Sequence, residues 1–306
     1  MEPAVRPTED RRLTAIALVL VGYFMFTVID SCAKWLMQAG MSSSQVVFVR
    51  YAGQFILVSA LFLPASGVKL LTTRRPWLEV VRGLCLLLST ICNFTAIVYL
   101  PLTVTASISF TTPLLLCALS VPLLGEVVGW RRWLAILVGF VGVLIIIQPG
   151  TAEFHPVVLL SLVGALFAAL YYLLTRKLAG VDAVSTQQFY ASGVATLCLV
   201  PMLFFNEWTW PVDAAGWFAI IMIGVAAMVG HQLLTIAHRF APASVLAPFG
   251  YFQIIFMVTS SWLLFSQPPT LWIYVGAPIV MASGFYIWWR ERQLSRGVVT
   301  ETVARD

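Results

Sequence analysis

The 306-residue chain has few charged side chains. Only 10% of its residues are Asp, Glu, Lys or Arg, while 60% are hydrophobic. A soluble globular domain is about one quarter charged, because polar side chains must cover most of its surface. The 18 Lys and Arg and 13 Asp and Glu cannot cover a folded chain of this length. The composition therefore excludes a water-soluble protein and indicates a chain whose solvent is a lipid bilayer.

Residues typical of catalysis, redox chemistry and metal binding are also scarce. The chain has five Cys without a CxxC pair, and its three His lack the HExxH spacing of zinc proteases. It has no GxSxG, GxGxxG or GKS/T loop, so nothing indicates a nucleophile, a dinucleotide or ATP hydrolysis. We therefore expect no enzyme, no ATP-driven pump, no cofactor and no metal site. The cysteines are expected to be reduced packing residues.

Long apolar runs follow one another along almost the whole chain. A helix needs about 20 apolar residues to cross a hydrocarbon core of about 30 Å. The runs are continuously apolar rather than alternating, which favours helices over an outer-membrane barrel. The sequence therefore predicts an all-α membrane protein with ten transmembrane helices. The predicted spans are residues 13–36, 46–64, 80–99, 103–122, 133–148, 157–175, 186–205, 216–237, 243–265 and 270–289.

The positive charges are distributed unevenly between the two sides of this topology. Of the 18 Lys and Arg, all but Lys34 and Arg50 fall on the side of the chain termini. Cytoplasmic loops of membrane proteins are enriched in Lys and Arg. Both termini are therefore predicted to be cytoplasmic, in a membrane of the bacterial inner-membrane type. Anionic lipid headgroups account for the positive charge, so no nucleic acid partner is expected.

The second half of the chain repeats the first at a shift of about 141 residues. Tyr99-Leu100-Pro101 then falls on Phe240-Ala241-Pro242, and Gly83 falls on Gly224. Because each half has an odd number of spans, the second half must enter the membrane in the opposite orientation. Inverted repeats are typical of secondary transporters, whose substrate site lies near the midplane between the halves. The predicted segments are a tail (1–12), two five-helix repeats (13–148 and 157–289) and a second tail (290–306).

Several short features accompany the repeat. They are Lys34 at the end of span 1, Arg50 early in span 2, the Tyr99-Leu100-Pro101 junction, Leu124-Gly125-Glu126, and Gly139-Phe140-Val141-Gly142-Val143. Together with the 5+5 repeat, these features resemble the drug/metabolite transporter superfamily, in particular its EamA-type ten-helix members. One departure is Ser266-Gln267, which stands where the first repeat has Gly125-Glu126. The resemblance implies transport of small metabolites by alternating access, with the YddG-type aromatic amino acid exporters as the nearest group.

Ionisable side chains inside a span are energetically costly and are therefore candidates for function. Asp30 and Lys34 lie four residues apart on one face of span 1, so they can form an ion pair. Arg50 enters span 2 from the same side of the membrane. The three residues are predicted to form a charged site for a zwitterion, a gate, or a structural ion pair. Asp30, the only acidic residue well inside a predicted span, is also a candidate proton carrier.

Uncharged polar side chains near the middle of the spans are expected to face a substrate cavity, because in lipid they would lose their hydrogen bonds. The alternative for each of them is a hydrogen bond between helices. Pro113 and Pro248 lie in the matched spans 4 and 9, where they are predicted to allow helix bending. The predicted cavity residues are Tyr23, Asn93, Ser107, Ser109, Thr111, Tyr171, Tyr172, His231, Gln232, Tyr251 and Gln253.

The aromatic content of 13% and the small number of buried charges bear on the substrate. They suit an aromatic or hydrophobic amino acid better than a sugar phosphate, which would need several Arg or Lys in the cavity. The second hypothesis is transport of S-adenosylmethionine or riboflavin, and the third is a membrane scaffold without transport. Import and export stay open, because direction follows from gradients and coupling, and so do monomer and dimer.

Overall fold

The computed structural model describes residues 9–125, 128–151, 154–178, 181–205, 208–240 and 246–303. Within these ranges the chain is helical and contains no strand. Two 3-10 turns, Gly67–Leu71 and Ala247–Phe252, complete the described secondary structure. In chain order the α-helices are α1 (Glu9–Gln38), α2 (Ser43–Ser66), α3 (Pro76–Tyr99), α4 (Leu102–Ser109), α5 (Thr112–Leu124), α6 (Trp130–Ile147), α7 (Val158–Leu178), α8 (Val184–Leu199), α9 (Met202–Phe205), α10 (Ala214–Phe240), α11 (Gln253–Phe265) and α12 (Leu271–Val303).

The lengths of these helices confirm the predicted membrane fold. In the described residues, nine helical stretches are long and apolar enough to cross a membrane, and a tenth, Phe249–Phe265, is shorter. These ten stretches correspond one by one to the ten predicted spans. The last helix continues to Val303, about four turns beyond the predicted end of span 10. Glu126 and the Ala241-Pro242 part of the repeat lie outside the described residues.

The matched spans 4 and 9 are interrupted near their middle, whereas the sequence predicted a continuous helix for each. In span 4, α4 ends before Phe110 and Thr111, and α5 begins at Thr112. Pro113 lies in the first turn of α5, where a missing backbone N–H leaves no hydrogen bond unmade. In span 9 the 3-10 turn Ala247–Phe252 precedes α11, and Pro248 lies at its beginning. The role of both prolines in bending during transport stays a prediction.

The helix contacts between the two halves follow a twofold pattern. When one helix of the first half packs against a helix of the second half, the equivalent helices of the opposite halves also pack together. The pair α1 and α10 corresponds to α7 and α3, and the pair α2 and α10 corresponds to α8 and α3. Three further pairs, α2 with α8, α4 with α11, and α6 with α12, each join equivalent helices of the two halves. This pattern is that of a pseudo-twofold axis between the halves, as an inverted repeat requires.

Two glycines make equivalent close contacts in the two halves. A Cβ at Gly22 would lie 3.4 Å from the carbonyl oxygen of Gly230, where α1 crosses α10. A Cβ at Gly164 would lie 3.4 Å from the carbonyl oxygen of Ser89, where α7 crosses α3. The two contacts are related by the same shift of about 141 residues that relates the two halves of the sequence. Small residues at equivalent positions therefore set the close approach of these helix pairs.

The contact of α6 with α12 also depends on glycine. A Cβ at Gly142 would lie 3.0 Å from the carbonyl oxygen of Gly276, and a Cβ at Gly276 would overlap the side chain of Ile146. We expect Gly276→Leu to destabilise the protein by about 1–3 kcal/mol, because a larger side chain must push the two helices apart. Thermal unfolding of the purified protein in detergent would show a lower midpoint.

The control is Gly129→Ser, because a Cβ at Gly129 meets nothing within 4 Å and serine is a favourable residue at this N-cap of α6. That variant should unfold at the temperature of the wild-type protein. Equal unfolding temperatures for the two variants would show that close packing at Gly276 does not stabilise the fold.

Candidate functional site

A cavity of about 450 Å³ lies between the two halves, at the level where spans 4 and 9 are interrupted. Small-molecule sites of known proteins have volumes of about 300–1,000 Å³. Side chains from α1, α2, α3, α7, α10 and α12 line it, together with the interrupted parts of spans 4 and 9. Its volume and position are those of a binding site for a small organic molecule.

The structure brings most of the predicted cavity residues to this wall, as it does Asp30, Arg50 and Pro113. Their role in substrate binding stays a prediction. The predicted residues that line the cavity are Tyr23, Asn93, Ser109, Tyr171, Tyr172, His231, Tyr251 and Gln253.

Three other predicted cavity residues do not line it. Ser107 and Thr111 are fully buried, and each hydroxyl donates 2.7 Å to a carbonyl oxygen of its own span. The Gln232 side-chain oxygen accepts a hydrogen bond of 3.0 Å from Gln188, which links α10 to α8. For these residues the alternative use, hydrogen bonding within or between helices, is the one observed. The side chain of Pro248 lies outside the described part of the chain.

Aromatic side chains cover much of the wall. Tyr171 and Tyr172 meet edge to face with their ring centres 5.3 Å apart. Phe110 and Tyr251, which are equivalent in the two repeats, meet in the same way at 5.3 Å. These aromatic pairs present ring faces and edges against which a flat ligand can pack.

Sequence reasoning missed part of the lining. Ser89 and Thr90 of α3 and Ser161 of α7 line the cavity. A hydroxyl in the middle of an apolar span was the available signal for Ser89 and Thr90. Ser161 carried a competing signal, because it belongs to a series of small residues at four-residue spacing that also favours helix packing.

The predicted Asp30–Lys34 ion pair does not form, although the structure describes both side chains. One carboxylate oxygen of Asp30 accepts a hydrogen bond of 3.0 Å from the side-chain amide of Asn93. The Lys34 ammonium instead donates to the carbonyl oxygen of Leu100 at 2.7 Å and to the side-chain oxygen of Gln267 at 2.9 Å. Backbone and amide acceptors therefore replace the carboxylate as partners of this buried cation.

Lys34 and its two acceptors join the two halves of the protein. Leu100 belongs to the first half and Gln267 to the second, and we name this contact the Lys34 bridge. One turn away on α1, Ser31 shares a hydrogen bond of 2.6 Å with Ser260 of the second half. Both contacts join the halves beyond the cavity residue Asp30, toward the end of α1.

Arg50 is 5% exposed and has few partners. Its guanidinium donates a hydrogen bond of 3.3 Å to the hydroxyl of Thr90 and lies 4.4 Å from the ring centre of Tyr51. Its Nε has no hydrogen-bond partner. A guanidinium has five N–H donors, so the protein satisfies this buried cation only in part.

Glu79 and Arg82 form a buried ion pair near the beginning of α3, which the sequence analysis did not predict. Glu79 is fully buried in the first turn of α3 and accepts a hydrogen bond of 3.1 Å from Arg82. Arg82 also donates to the carbonyl oxygen of Gln187 and to the hydroxyl of Thr175, both in the second half. Among the side chains that the structure describes, Glu79 and Arg82 are the oppositely charged pair whose charged atoms lie 3.1 Å apart. Neither residue lines the cavity.

A model of the EamA-like transporter family matches residues 13–148 and 155–289. The two matched segments correspond to the two five-helix halves of the structure. A chain of known crystal structure superposes with a TM-score of 0.59 at 19% identity, over 91% of this chain and 98% of that chain. At this identity the superposition shows a shared fold alone.

Three curated bacterial relatives match over nearly their whole length. An S-adenosylmethionine uptake transporter of Rickettsia bellii is 25% identical, covering 89% of this chain and 94% of its own. A riboflavin transporter of Vibrio cholerae is 28% identical, covering 91% and 94%. A pseudopaline exporter of Pseudomonas aeruginosa is 29% identical, covering 89% and 95%. None of these three is named as an aromatic amino acid exporter.

The hydrogen bonds of the buried charges can be tested by double-mutant cycles. We expect Glu79→Gln and Arg82→Met to show a coupling of about 0.5–3 kcal/mol, because the two side chains are in contact. The substitutions Asp30→Asn and Lys34→Met should add to within about 0.5 kcal/mol, because each side chain is bonded elsewhere. The measurement is the free energy of unfolding of the four single and two double variants in detergent. Equal coupling in both pairs would contradict the observed arrangement.

Proposed function

Because the chain belongs to the EamA-like transporter family and is a multi-pass membrane transporter of the drug/metabolite type, we propose that its central cavity carries a small organic metabolite with a flat ring system. The transport cycle is alternating access of the two halves. The observation that carries the proposal is the aromatic-lined cavity between two matched five-helix halves. S-adenosylmethionine and riboflavin are the first two candidates, because relatives that align over nearly the whole chain are named for them.

These candidates replace the aromatic amino acids as the first hypothesis. S-adenosylmethionine contains an adenine ring and riboflavin a three-ring system, and both are flat enough to stack on Tyr or Phe. A stacked aromatic pair contributes about 0.5–1.5 kcal/mol beyond the area that it buries. The ring pairs Tyr171–Tyr172 and Phe110–Tyr251 supply such surfaces on the cavity wall. Free aromatic amino acids remain a competing class for the transport experiment.

Alternating access requires that the cavity be open to one side of the membrane at a time. On α12 the lining runs from Gly284 to Trp288, close to the end of the apolar stretch at Arg290. On the opposite side, the Lys34 bridge and the Ser31–Ser260 contact close the space between the halves. The excess of Lys and Arg supports cytoplasmic termini. In this orientation the cavity extends toward the cytoplasm of a bacterial inner membrane, and the Lys34 bridge closes its outer side.

The transport proposal predicts selective flux through the purified protein. Proteoliposomes would be tested for uptake and counterflow of S-adenosylmethionine, riboflavin, tryptophan and leucine, with empty liposomes as the control. We expect the first or the second compound to move faster than leucine, because leucine has no ring that can stack on the aromatic wall, and tryptophan tests the free aromatic amino acids. Absence of flux of all four compounds in folded protein would contradict the proposal.

The cavity lining predicts which side chains matter for flux. Alanine at Asn93, Tyr251 or Gln253 should lower the initial uptake rate several-fold, because each removes a polar or aromatic group from the wall. The amount of folded protein, measured by size-exclusion chromatography, should stay unchanged. The matched control is Tyr274→Ala, since Tyr274 is 63% exposed on the outside of the bundle. Wild-type uptake in all three cavity variants would exclude this cavity as the transport site.

The Lys34 bridge predicts the accessibility of the cavity from outside. The reporter is Ser109→Cys in a variant without the five native cysteines, labelled in cells with a membrane-impermeant thiol reagent. Combining Lys34→Met with Gln267→Leu should increase the labelling rate several-fold, because the outer hydrogen bonds between the halves are lost. Lys69→Met, which removes an exposed lysine, is the control. An unchanged labelling rate would show that the bridge does not keep the outer side closed.

A further inference from the structure

The cavity contains one carboxylate and one guanidinium that do not pair with each other. Asp30 and Arg50 both line the cavity, but their charged atoms are farther apart than the 4.0 Å of an ion pair. The described side chains that do meet this distance are Glu79 and Arg82. A cavity that buries two opposite and separated charges leaves each of them poorly satisfied when it holds only an uncharged ligand. The arrangement therefore calls for a ligand that itself carries both signs of charge.

Arg50 provides the positive part of this arrangement. With 5% exposure, an unpartnered Nε and a single hydrogen bond to a neutral hydroxyl, the guanidinium has donors left over. The ring centres of Tyr51 and Phe94 lie 4.4 Å and 6.0 Å from the guanidinium carbon of Arg50. These rings border the guanidinium but offer its N–H groups no oxygen acceptor. A carboxylate is the ligand group that a guanidinium binds best, through two parallel hydrogen bonds.

Asp30 provides the negative part, and Asn93 positions it. The amide of Asn93 donates to one carboxylate oxygen, so that oxygen is held in place. The other oxygen accepts no hydrogen bond from the residues that the structure describes. A primary ammonium can donate to it, because a carboxylate oxygen has acceptor sites to spare.

We propose that Asp30 and Arg50 bind the ammonium and the carboxylate of an α-amino acid head group, so that the substrate is a zwitterion with a flat side chain. The inference rests on the proposed function and selects within it: S-adenosylmethionine carries such a head group, whereas riboflavin is uncharged. A phosphate-bearing substrate is disfavoured, because one guanidinium opposed by one carboxylate leaves no net positive charge for a dianion. Asn93 is a positioning residue that acts through Asp30.

The test compares ligands that differ by the carboxylate alone. S-adenosylmethionine is paired with its decarboxylated analogue, and tryptophan with tryptamine. Comparing the two pairs shows whether the protein prefers an adenosyl-bearing amino acid or a free aromatic amino acid. Riboflavin serves as the uncharged ring compound. Affinities are measured for the purified full-length protein in lipid nanodiscs, together with uptake in proteoliposomes. The wild-type protein should bind the carboxylate-bearing member of one pair about 10-fold or more tightly than its partner.

The variants test which side chain recognises which group. Arg50→Gln should lower the affinity for the carboxylate-bearing ligand about 10-fold or more and leave that of its decarboxylated partner within about 2-fold. Asp30→Asn should weaken both members of the pair equally, because both keep the ammonium. Asn93→Leu should act in the same direction as Asp30→Asn with a smaller effect. Lys69→Gln, at an exposed site outside the cavity, should change none of these affinities.

Arg50→Lys is the second variant, for the case that Arg50→Gln does not fold. Lysine keeps the charge but cannot form two parallel hydrogen bonds, so the preference for the carboxylate should fall without disappearing. An equal loss of affinity for both members of a pair in either Arg50 variant would overturn the proposal. Transport of riboflavin without binding of any amino acid would overturn it as well, while leaving the proposed transport function intact. No flux of any compound through folded protein would overturn both.

Discussion

Lipid offers no hydrogen-bond partner, and most of this structure follows from that constraint. Every backbone polar group in the hydrocarbon layer must be satisfied within the chain, so the described residues fold into helices. The same requirement turns polar side chains away from the lipid. Ser107 and Thr111 satisfy it by bonding carbonyl groups of their own span, and Gln232 by bonding Gln188. Some buried polar groups without such a partner, among them those of Arg50 and Ser161, lie at the cavity between the halves.

The buried charges divide into two kinds under this constraint. Lys34 and Arg82 each donate hydrogen bonds to several protein groups and join helices of the two halves, and Glu79 pairs with Arg82. Asp30 and Arg50 have fewer protein partners, and both face the cavity. The two cations with several acceptors, Lys34 and Arg82, therefore hold the halves together, whereas Asp30 and Arg50 keep hydrogen-bonding capacity toward the cavity. Truncating a member of the first kind should chiefly affect stability, whereas the second kind should chiefly affect binding.

The sequence predicted the ten spans and the two matched halves, because apolar length and a shift of about 141 residues are properties of the chain alone. It also placed Tyr23, Asn93 and Tyr251 at a cavity, since polar groups in mid-span must avoid lipid. It could not supply the partners of Lys34. Asp30 is nearest along the helix, but Leu100 and Gln267 are brought in by tertiary packing, and the flexible lysine side chain reaches them instead. Nor could it separate Ser107 from Ser109, because a serine hydroxyl can bond its own helix as well as a ligand.

The Glu79–Arg82 pair has no counterpart in the second half, where the positions 141 residues later are the apolar Ile220 and Ile223. If the two halves were identical, the inward-facing and outward-facing conformations would have equal energies, because exchanging the halves would convert one conformation into the other. In this chain the Lys34 bridge uses a lysine and two neutral acceptors, whereas the Glu79–Arg82 pair is an ion pair from which Arg82 donates a hydrogen bond to Thr175 of the second half. In the proposed transport cycle the two conformations are closed by chemically different contacts, and we therefore expect the empty carrier to be distributed unequally between them. Because the duplicated halves have diverged, we expect an otherwise reversible carrier to rest mainly in one conformation, with its cavity open to one side of the membrane.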